Sequence, residues 1–223
     1  MEEKCFEGKK ALVFGGTSSI GFQLALLLEK EGAEVTVTGR HKIENDETEG
    51  KKSSIKSLVL NAESQGLDFI YSNKEFLEKL EESDILCLCY GPFVYKSFEE
   101  TLPSEWEKLA LYDYALPGTL VSLALKKMKE RKYGRILFFG GSHTDKIRPF
   151  KKNAAYAAIK TALNVLALSI AENYGMYDIR ANVICPGFVT NPPFGAAVMK
   201  AEYVAEKAMK ILSSCKNGEV VSC

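Results

Sequence analysis

A phenol and an ammonium one helical turn apart can share a proton, and the chain carries such a pair at Tyr156 and Lys160. They sit in Ala154-Ala155-Tyr156-Ala157-Ala158-Ile159-Lys160-Thr161-Ala162-Leu163, alanine-rich and free of Gly and Pro. That composition predicts a long buried helix running on to about Glu172. Residues four apart lie on one helix face, and burying a Tyr and a Lys on an otherwise apolar face is costly unless they are used. A cation beside a phenol favours the phenolate, so the pair is expected to exchange a proton nearer neutrality than a free tyrosine, whose pKa is about 10. The same spacing also fits a chance pair on a surface helix, so the surrounding elements must discriminate.

Those elements begin with Lys10-Ala11-Leu12-Val13-Phe14, a short apolar run ending in Gly15-Gly16-Thr17-Ser18-Ser19-Ile20-Gly21, after which Phe22 to Glu31 has apolar residues at helical spacing. Strand, Gly-rich turn and helix form the context in which a turn holds a phosphate. Glycine allows the positive φ of a tight turn, and the helix start offers unpaired N–H groups and a positive dipole end. Gly32 to Arg40 reads as a second strand that completes a βαβ unit, which predicts a nucleotide site. Where an NAD site places a carboxylate for the ribose 2′-hydroxyl, this chain has Gly39-Arg40-His41-Lys42. A guanidinium forks onto a phosphate, with His41 and Lys42 adding charge, so the expected cofactor is NADP(H) rather than NAD(H). An ordinary basic loop after a strand is the alternative.

Residues 43 to 54 are polar and aperiodic and read as a loop. Ser57 to Asn61 reads as a third strand, Asn73 to Glu82 as an amphipathic helix, and Asp84 to Tyr90 as a central parallel strand stopped at Gly91-Pro92. Trp106 to Lys132 is predicted helical, with Pro117 kinking or dividing it. Gly134 to Phe139 is another strand, leading into Gly140-Gly141-Ser142-His143-Thr144. Arg180 to Cys185 is the last clear internal one, leading into Pro186-Gly187-Phe188-Val189-Thr190. Ala201 to Ser213 reads as a helix and Gly218 to Ser222 as a short edge strand. Strands alternating with helices throughout predict an α/β doubly wound parallel sheet, and no linker or repeat divides the chain. Ligands of such sheets bind beyond the strand carboxyl ends, where the Gly15 turn, Arg40, Gly91, Ser142 and Pro186-Gly187 all fall.

The totals narrow the partners. The 223 residues fit one α/β domain. Lys+Arg and Asp+Glu are equal at 29 each, so charge gives no case for nucleic acid or a membrane as partner. With two histidines and no Cys-x-x-Cys among six cysteines, no metal site is expected, and the thiols read as reduced and mostly in apolar surroundings. A charged N-terminus and no apolar run of membrane-spanning length lead to the expectation of a soluble cytoplasmic protein.

Taken in order, Gly15-Gly16-Thr17-Ser18-Ser19-Ile20-Gly21, Asp84-Ile85-Leu86, Gly134-Arg135-Ile136, Ser142, Tyr156-Ala157-Ala158-Ile159-Lys160, and Arg180-Ala181-Asn182 with Pro186-Gly187 and Thr190 make the chain resemble the short-chain dehydrogenase/reductase family over nearly its whole length. The type it is similar to is the single-domain, 3-oxoacyl-carrier-protein-reductase-like one. The resemblance implies a three-layer Rossmann-type domain that moves hydride between NAD(P) and a carbonyl or alcohol, as a homodimer or homotetramer. It implies Tyr156 as general acid or base, Lys160 as the group that lowers the phenol's pKa and holds the nicotinamide ribose, and Ser142 as donor to the substrate oxygen. His143 and Thr144 are adjacent alternatives to Ser142. For the cofactor it implies the turn from Gly15 to Gly21, Asn61 and Ala62 near the adenine, Tyr90 and Gly91 near the ribose, Pro186, Gly187 and Val189 near the nicotinamide ring, and Thr190 on its carboxamide.

Several positions depart from the family pattern. Phe14 stands where Thr is usual, and Ser19 where the turn has its middle glycine. Leu88-Cys89-Tyr90-Gly91 replaces Asn-Asn-Ala-Gly, with Tyr90 expected to cover part of the ribose site. Counting seven residues past Trp106 puts Asp113 where the family has a proton-relaying asparagine, while a shifted alignment puts Ala115 there. The segment Asn191 to Lys200 is short for a substrate lid, so an open pocket is expected. Lys146, Arg148, Lys151 and Lys152 are placed near its mouth, either favouring an anionic or carrier-linked substrate or forming a solvated basic loop. The departures leave room for a second function class, a nucleotide-binding sensor or partner protein that keeps the fold with weak or lost catalysis.

Overall fold

The computed structural model describes residues 4–17, 19–43, 47–48, 51–62, 66–189 and 198–223. Ser18 and Thr190, both expected at the cofactor, and most of the segment after Thr190 lie outside the described residues. The chain runs β1 (Lys10–Phe14), α1 (Ser19–Lys30), β2 (Glu34–Gly39), a short pair β3 (Glu47–Thr48) and β4 (Lys51–Lys52), and β5 (Lys56–Val59). Then come α2 (Phe69–Ser72), α3 (Lys74–Glu82), β6 (Ile85–Leu88), α4 (Pro103–Ala110), a π turn (Leu111–Ala115) and α5 (Leu116–Arg131). The remainder is β7 (Gly134–Phe139), α6 (Ala154–Tyr174), a 3₁₀ turn (Gly175–Tyr177), β8 (Ile179–Cys185), α7 (Ala201–Leu212) and β9 (Val220–Ser222).

Seven strands among the described residues form one sheet in the order β5-β2-β1-β6-β7-β8-β9, every neighbouring pair parallel. Central strands in such a sheet are covered on both faces and read as unbroken apolar runs; β6 and β7 are buried at every position. Alternate side chains of one strand feed opposite cores. Leu12, Leu86, Ile136 and Phe138 join the core made with α3, α5 and α6, whereas Val13, Ile85, Cys87 and Leu137 join the one made with α1 and α7. This is the three-layer doubly wound α/β fold that the alternating elements predict. The chain reverses its direction of travel across the sheet between β1 and β6, and a crevice opens there at the strand carboxyl ends.

Four local features depart from the sequence expectation. The polar segment predicted as a loop contains the β3–β4 antiparallel pair, and its end is tied down by Ser53 and Ser54, whose hydroxyls donate to Glu29 at 3.0 and 2.7 Å; two-residue strands carry no periodicity to read. The short helix α2 was likewise invisible. The expected division at Pro117 is made by the π turn: Pro117 has no N–H for the carbonyl of Asp113 four residues back, and the widened turn absorbs the mismatch. Finally, Ala154–Tyr177, with mean hydropathy 1.5, is long and apolar enough by composition to cross a membrane, contrary to expectation. One face of it packs inward, with Ala157, Leu163, Ala167 and Ile170 buried beside β8 and β7, while Val165 and Leu168 are exposed.

Of the six free cysteines, Cys87 and Cys185 are buried, and Cys87 and Cys89 do share a sheet face. Cys89 and Cys223 pack partly buried against the core, so four of the six stand in apolar surroundings, while Cys5 and Cys215 are exposed.

Candidate active site

The crevice at the β1/β6 switch is a cavity of about 330 Å³ lined by the turn at Gly15, Thr17, Ser19, Ile20 and Gly21, by Arg40, by Asn61 and Ala62, and by Tyr90 and Gly91. These are the residues expected there; exposed His41 is not among them. The turn is pinned from β2: Gly16 N–H donates to the Thr38 carbonyl at 2.9 Å and Gly15 N–H to Thr38 Oγ1 at 3.2 Å. Gly15 has φ +81°, and a Cβ there would meet Tyr90 N at 2.8 Å, so only glycine lets the two strand ends come this close. A glycine-rich turn ending in a helix start fits the pyrophosphate of a dinucleotide, and the exposed Arg40 lines the same crevice.

The missing middle glycine leaves a mark, since Ser19 is held at φ +51°, in the left-handed region that serine rarely adopts. Other departures pack together. Tyr90 meets Phe14 edge-on at 5.7 Å and Tyr112 at 6.2 Å, while Phe14 also contacts Phe69 and Phe76. The aromatic residues at two atypical positions thus share one cluster beneath the crevice.

A second cavity, of about 290 Å³, adjoins the first through Ser19, Ile20 and Gly91, and is lined by Ser142 and Tyr156 together with Pro186, Gly187 and Val189. Gly141 touches the phenol, since a Cβ there would lie 2.6 Å from Tyr156 Cε1. His143 is exposed and adopts φ +61°, whereas Thr144 is buried, exchanging hydrogen bonds with Gly141 N and O at 2.9 and 3.0 Å. The loop thus fixes Thr144 inward as a brace and leaves Ser142 on the cavity wall.

Behind Tyr156, the Lys160 ammonium lies 5.8 Å from the phenol ring centroid, donates to the Phe139 carbonyl at 3.1 Å, and faces Asp113 Oδ1 at 2.7 Å. Asp113 is fully buried, and its Oδ2 has no hydrogen-bond partner among the described residues. The π turn delivers this carboxylate, and Gly91 makes room for it, because a Cβ at that position would overlap Asp113 Oδ1. Ala115 instead lines a groove between α5 and α6, so Asp113 and not Ala115 is the residue that meets the lysine.

The electrostatics correct one expectation. Burial pushes the Tyr156 phenol above its ordinary value; Lys160 opposes this, but Asp113 and Cys185 reinforce it. Burial alone would lower Lys160, yet Asp113 and Tyr156 more than restore it, so the ammonium stays firmly charged. Burial raises Asp113 against the pull of Lys160. Burial is the larger effect on the phenol and the Asp113 carboxylate beside Lys160 adds to it, which is why the lysine does not bring the phenol toward neutrality.

The basic loop does not reach the second cavity. Arg148 lies over Phe150 at 5.6 Å and lines a separate hollow on the outer face of α6. Lys152 lies over the Tyr95 ring, at 6.0 Å, and is not among the residues lining the second cavity. What the sequence did not single out is Phe93, five residues past β6, whose ring meets Tyr156 edge-on at 4.9 Å while remaining 48% exposed. An apolar residue just after a strand's carboxyl end was the available signal.

Comparisons agree with this geometry. The profile of the short chain dehydrogenases matches residues 9–202. An uncharacterized oxidoreductase of Thermotoga maritima is 28% identical over 94% of this chain and 82% of its own. The NADP-dependent (R)-specific alcohol dehydrogenase of Lentilactobacillus kefiri is 29% identical over 83% of this chain and 75% of its own. Among solved structures, a short chain dehydrogenase/reductase family protein superposes with a TM-score of 0.81 at 25% identity, covering 97% of this chain and 96% of that one. A 3-oxoacyl (acyl-carrier-protein) reductase from Agrobacterium tumefaciens with NADP bound gives 0.81 at 22%, covering 97% and 93%. The chain therefore belongs to the short chain dehydrogenase family, oxidoreductases that exchange hydride between a nicotinamide cofactor and a carbonyl or alcohol.

Proposed function

We propose that the protein is a single-domain NADP(H)-dependent reductase of small carbonyl compounds, or the corresponding alcohol dehydrogenase, with Tyr156, Lys160 and Ser142 as its working groups. The observation that carries the proposal is the position of Tyr156, on the wall of the Ser142 cavity where it adjoins the one lined by Gly15 and Arg40. The residues that would hold the dinucleotide are the Gly15–Gly21 turn and Gly91, with Arg40 on the 2′-phosphate and Pro186, Gly187 and Val189 toward the ring. When bound, the nicotinamide supplies or accepts the hydride. Tyr156 Oη gives its proton to the carbonyl oxygen on reduction and takes it back on oxidation, and a phenol with a raised pKa is protonated and ready for the reductive direction at neutral pH. Ser142 Oγ donates to the same oxygen, a preorganised partner for the charge that develops there. Lys160 remains cationic beside the phenol and compensates the phenolate left after proton transfer.

The decisive experiment mixes purified protein with NADPH and a panel of carbonyl compounds. Turnover is expected, and Tyr156→Phe is expected to abolish it while NADPH binding persists; no turnover that depends on Tyr156 would refute the enzymatic reading. A second reading, a nucleotide-binding sensor with weak catalysis, is favoured by one observation, the neutralisation of Lys160 by Asp113. Calorimetric NADPH binding without Tyr156-dependent turnover would support it. The proposal includes a homodimer or homotetramer, supported by Leu168 and Val165, exposed at 50% and 64% on α6 beside the α5–α6 groove. Sedimentation of wild type and Leu168→Glu tests it: the wild type should associate and the variant should weaken that association.

A further inference from the structure

The second cavity holds a chemistry that hydride transfer does not by itself require. Phe93 stands at the centre of an aromatic group: Tyr156 at 4.9 Å and Phe188 at 6.0 Å are both edge-on to it, with interplanar angles of 84° and 77°, and Tyr95 stacks beside it at 6.1 Å and 27°. Three of these rings, Phe93, Tyr156 and Phe188, line the cavity. Among the described residues, none that lines the cavity carries a charge. The Lys160–Asp113 pair behind Tyr156 is buried and neutralises itself, and no residue of the basic loop lines the cavity, Lys152 lying over Tyr95 at 6.0 Å. A carboxylate or phosphate beside the reacting carbonyl would lose water and find no cation to replace it. A ring placed beside Phe93 would instead cover apolar surface that is now 48% exposed and gain edge-to-face contacts.

We infer that Phe93 and Phe188 form a selectivity wall, and that the substrate is an uncharged ketone or aldehyde bearing an aromatic or comparably bulky apolar group close to its carbonyl. This rests on the hydride-transfer reading for the identity of the reacting group, though the wall itself can be tested by binding.

Benzylacetone and acetoacetate are both methyl ketones; one carries a phenyl ring and the other a carboxylate on the far side, and acetone carries neither. Wild-type kcat/KM with NADPH is expected to be at least tenfold higher for benzylacetone than for acetoacetate. Phe93→Ala and Phe188→Ala should each lower the benzylacetone-to-acetone ratio about tenfold. In parallel, calorimetric titration of benzylacetone into the NADPH-saturated Tyr156→Phe protein should show binding that Phe93→Ala in the same background weakens several-fold. A preference for acetoacetate, or a ratio and a binding constant unmoved by both Phe variants, would overturn the inference. Absence of turnover on all three ketones, with Phe93-dependent binding intact, would count against the hydride-transfer reading and leave the apolar selectivity supported.

Discussion

The Lys160 ammonium is 2.7 Å from Asp113 Oδ1, and the two side chains are 7% and 0% exposed. A cation this close to a carboxylate is a weaker electrostatic partner for the phenol on the next turn than a lone lysine would be. Removing the negative charge while keeping an acceptor should therefore let Lys160 act on Tyr156 undiluted. Asp113→Asn is expected to move the pH at which alcohol oxidation rises downward by about one unit. A pH profile of kcat/KM with an unmoved acid limb would contradict this. Asp113→Ala, which strands a buried cation, should cost about 3 kcal/mol in chemical denaturation.

At Ser19 the backbone at φ +51° is strained for an L side chain. Ser19→Gly should relieve that strain and stabilise the fold by roughly 0.5–1 kcal/mol. It should also tighten NADPH binding, because the turn it relaxes lines the nucleotide crevice. Thermal melts with and without cofactor read both effects; a lowered melting temperature would mean that the serine side chain makes a stabilising contact.

Arg40 lines the crevice and is exposed. Its charge-assisted contacts to a ribose phosphate would be worth about 2 kcal/mol. Arg40→Ala is thus expected to raise the NADPH Kd roughly thirtyfold while changing that for NADH little. Equal losses for the two cofactors would remove the assignment of Arg40 to the phosphate.

Burial pushes the Cys185 thiol up from an ordinary 9.0 to about 11. The folded state keeps this proton where the unfolded chain has lost it. The resulting stability is whole below pH 9.0 and disappears as pH rises to about 11. Wild type should lose roughly 2 kcal/mol across that window on this account, and Cys185→Ala should show a shallower fall in denaturation midpoint over the same range. Parallel slopes would show that other groups govern alkaline unfolding.

Much of the architecture was legible because the signals were redundant. Phe14 followed by Gly15-Gly16 marks a strand end twice over, and the apolar run of Gly134–Phe139 coincides with β7 residue for residue. The Tyr156/Lys160 spacing and the Gly-rich turn located both cavities. Contacts between distant segments were not legible. The resemblance put Asp113 at a proton-relay position near the lysine, but nothing indicated that its carboxylate would pair directly with Lys160, 47 residues on, or that Gly91 clears the space between them. The raised phenol is a sum of burial and three neighbours from separate elements, so the i, i+4 pair alone suggested the opposite direction. Phe93 escaped because a single aromatic after a strand is unremarkable until its ring is seen beside Tyr156.

The π turn at Leu111–Ala115 makes this stretch sensitive to length rather than to composition. One residue deleted from it would remove the extra residue that widens the turn and press Pro117 against the carbonyl four residues before it. Leu109, fully buried, would keep its face of the helix, because the widened turn already holds the segments on either side in phase, but Asp113 would leave the lysine. Substitutions here are expected to be graded in effect, whereas insertions or deletions should be all or nothing.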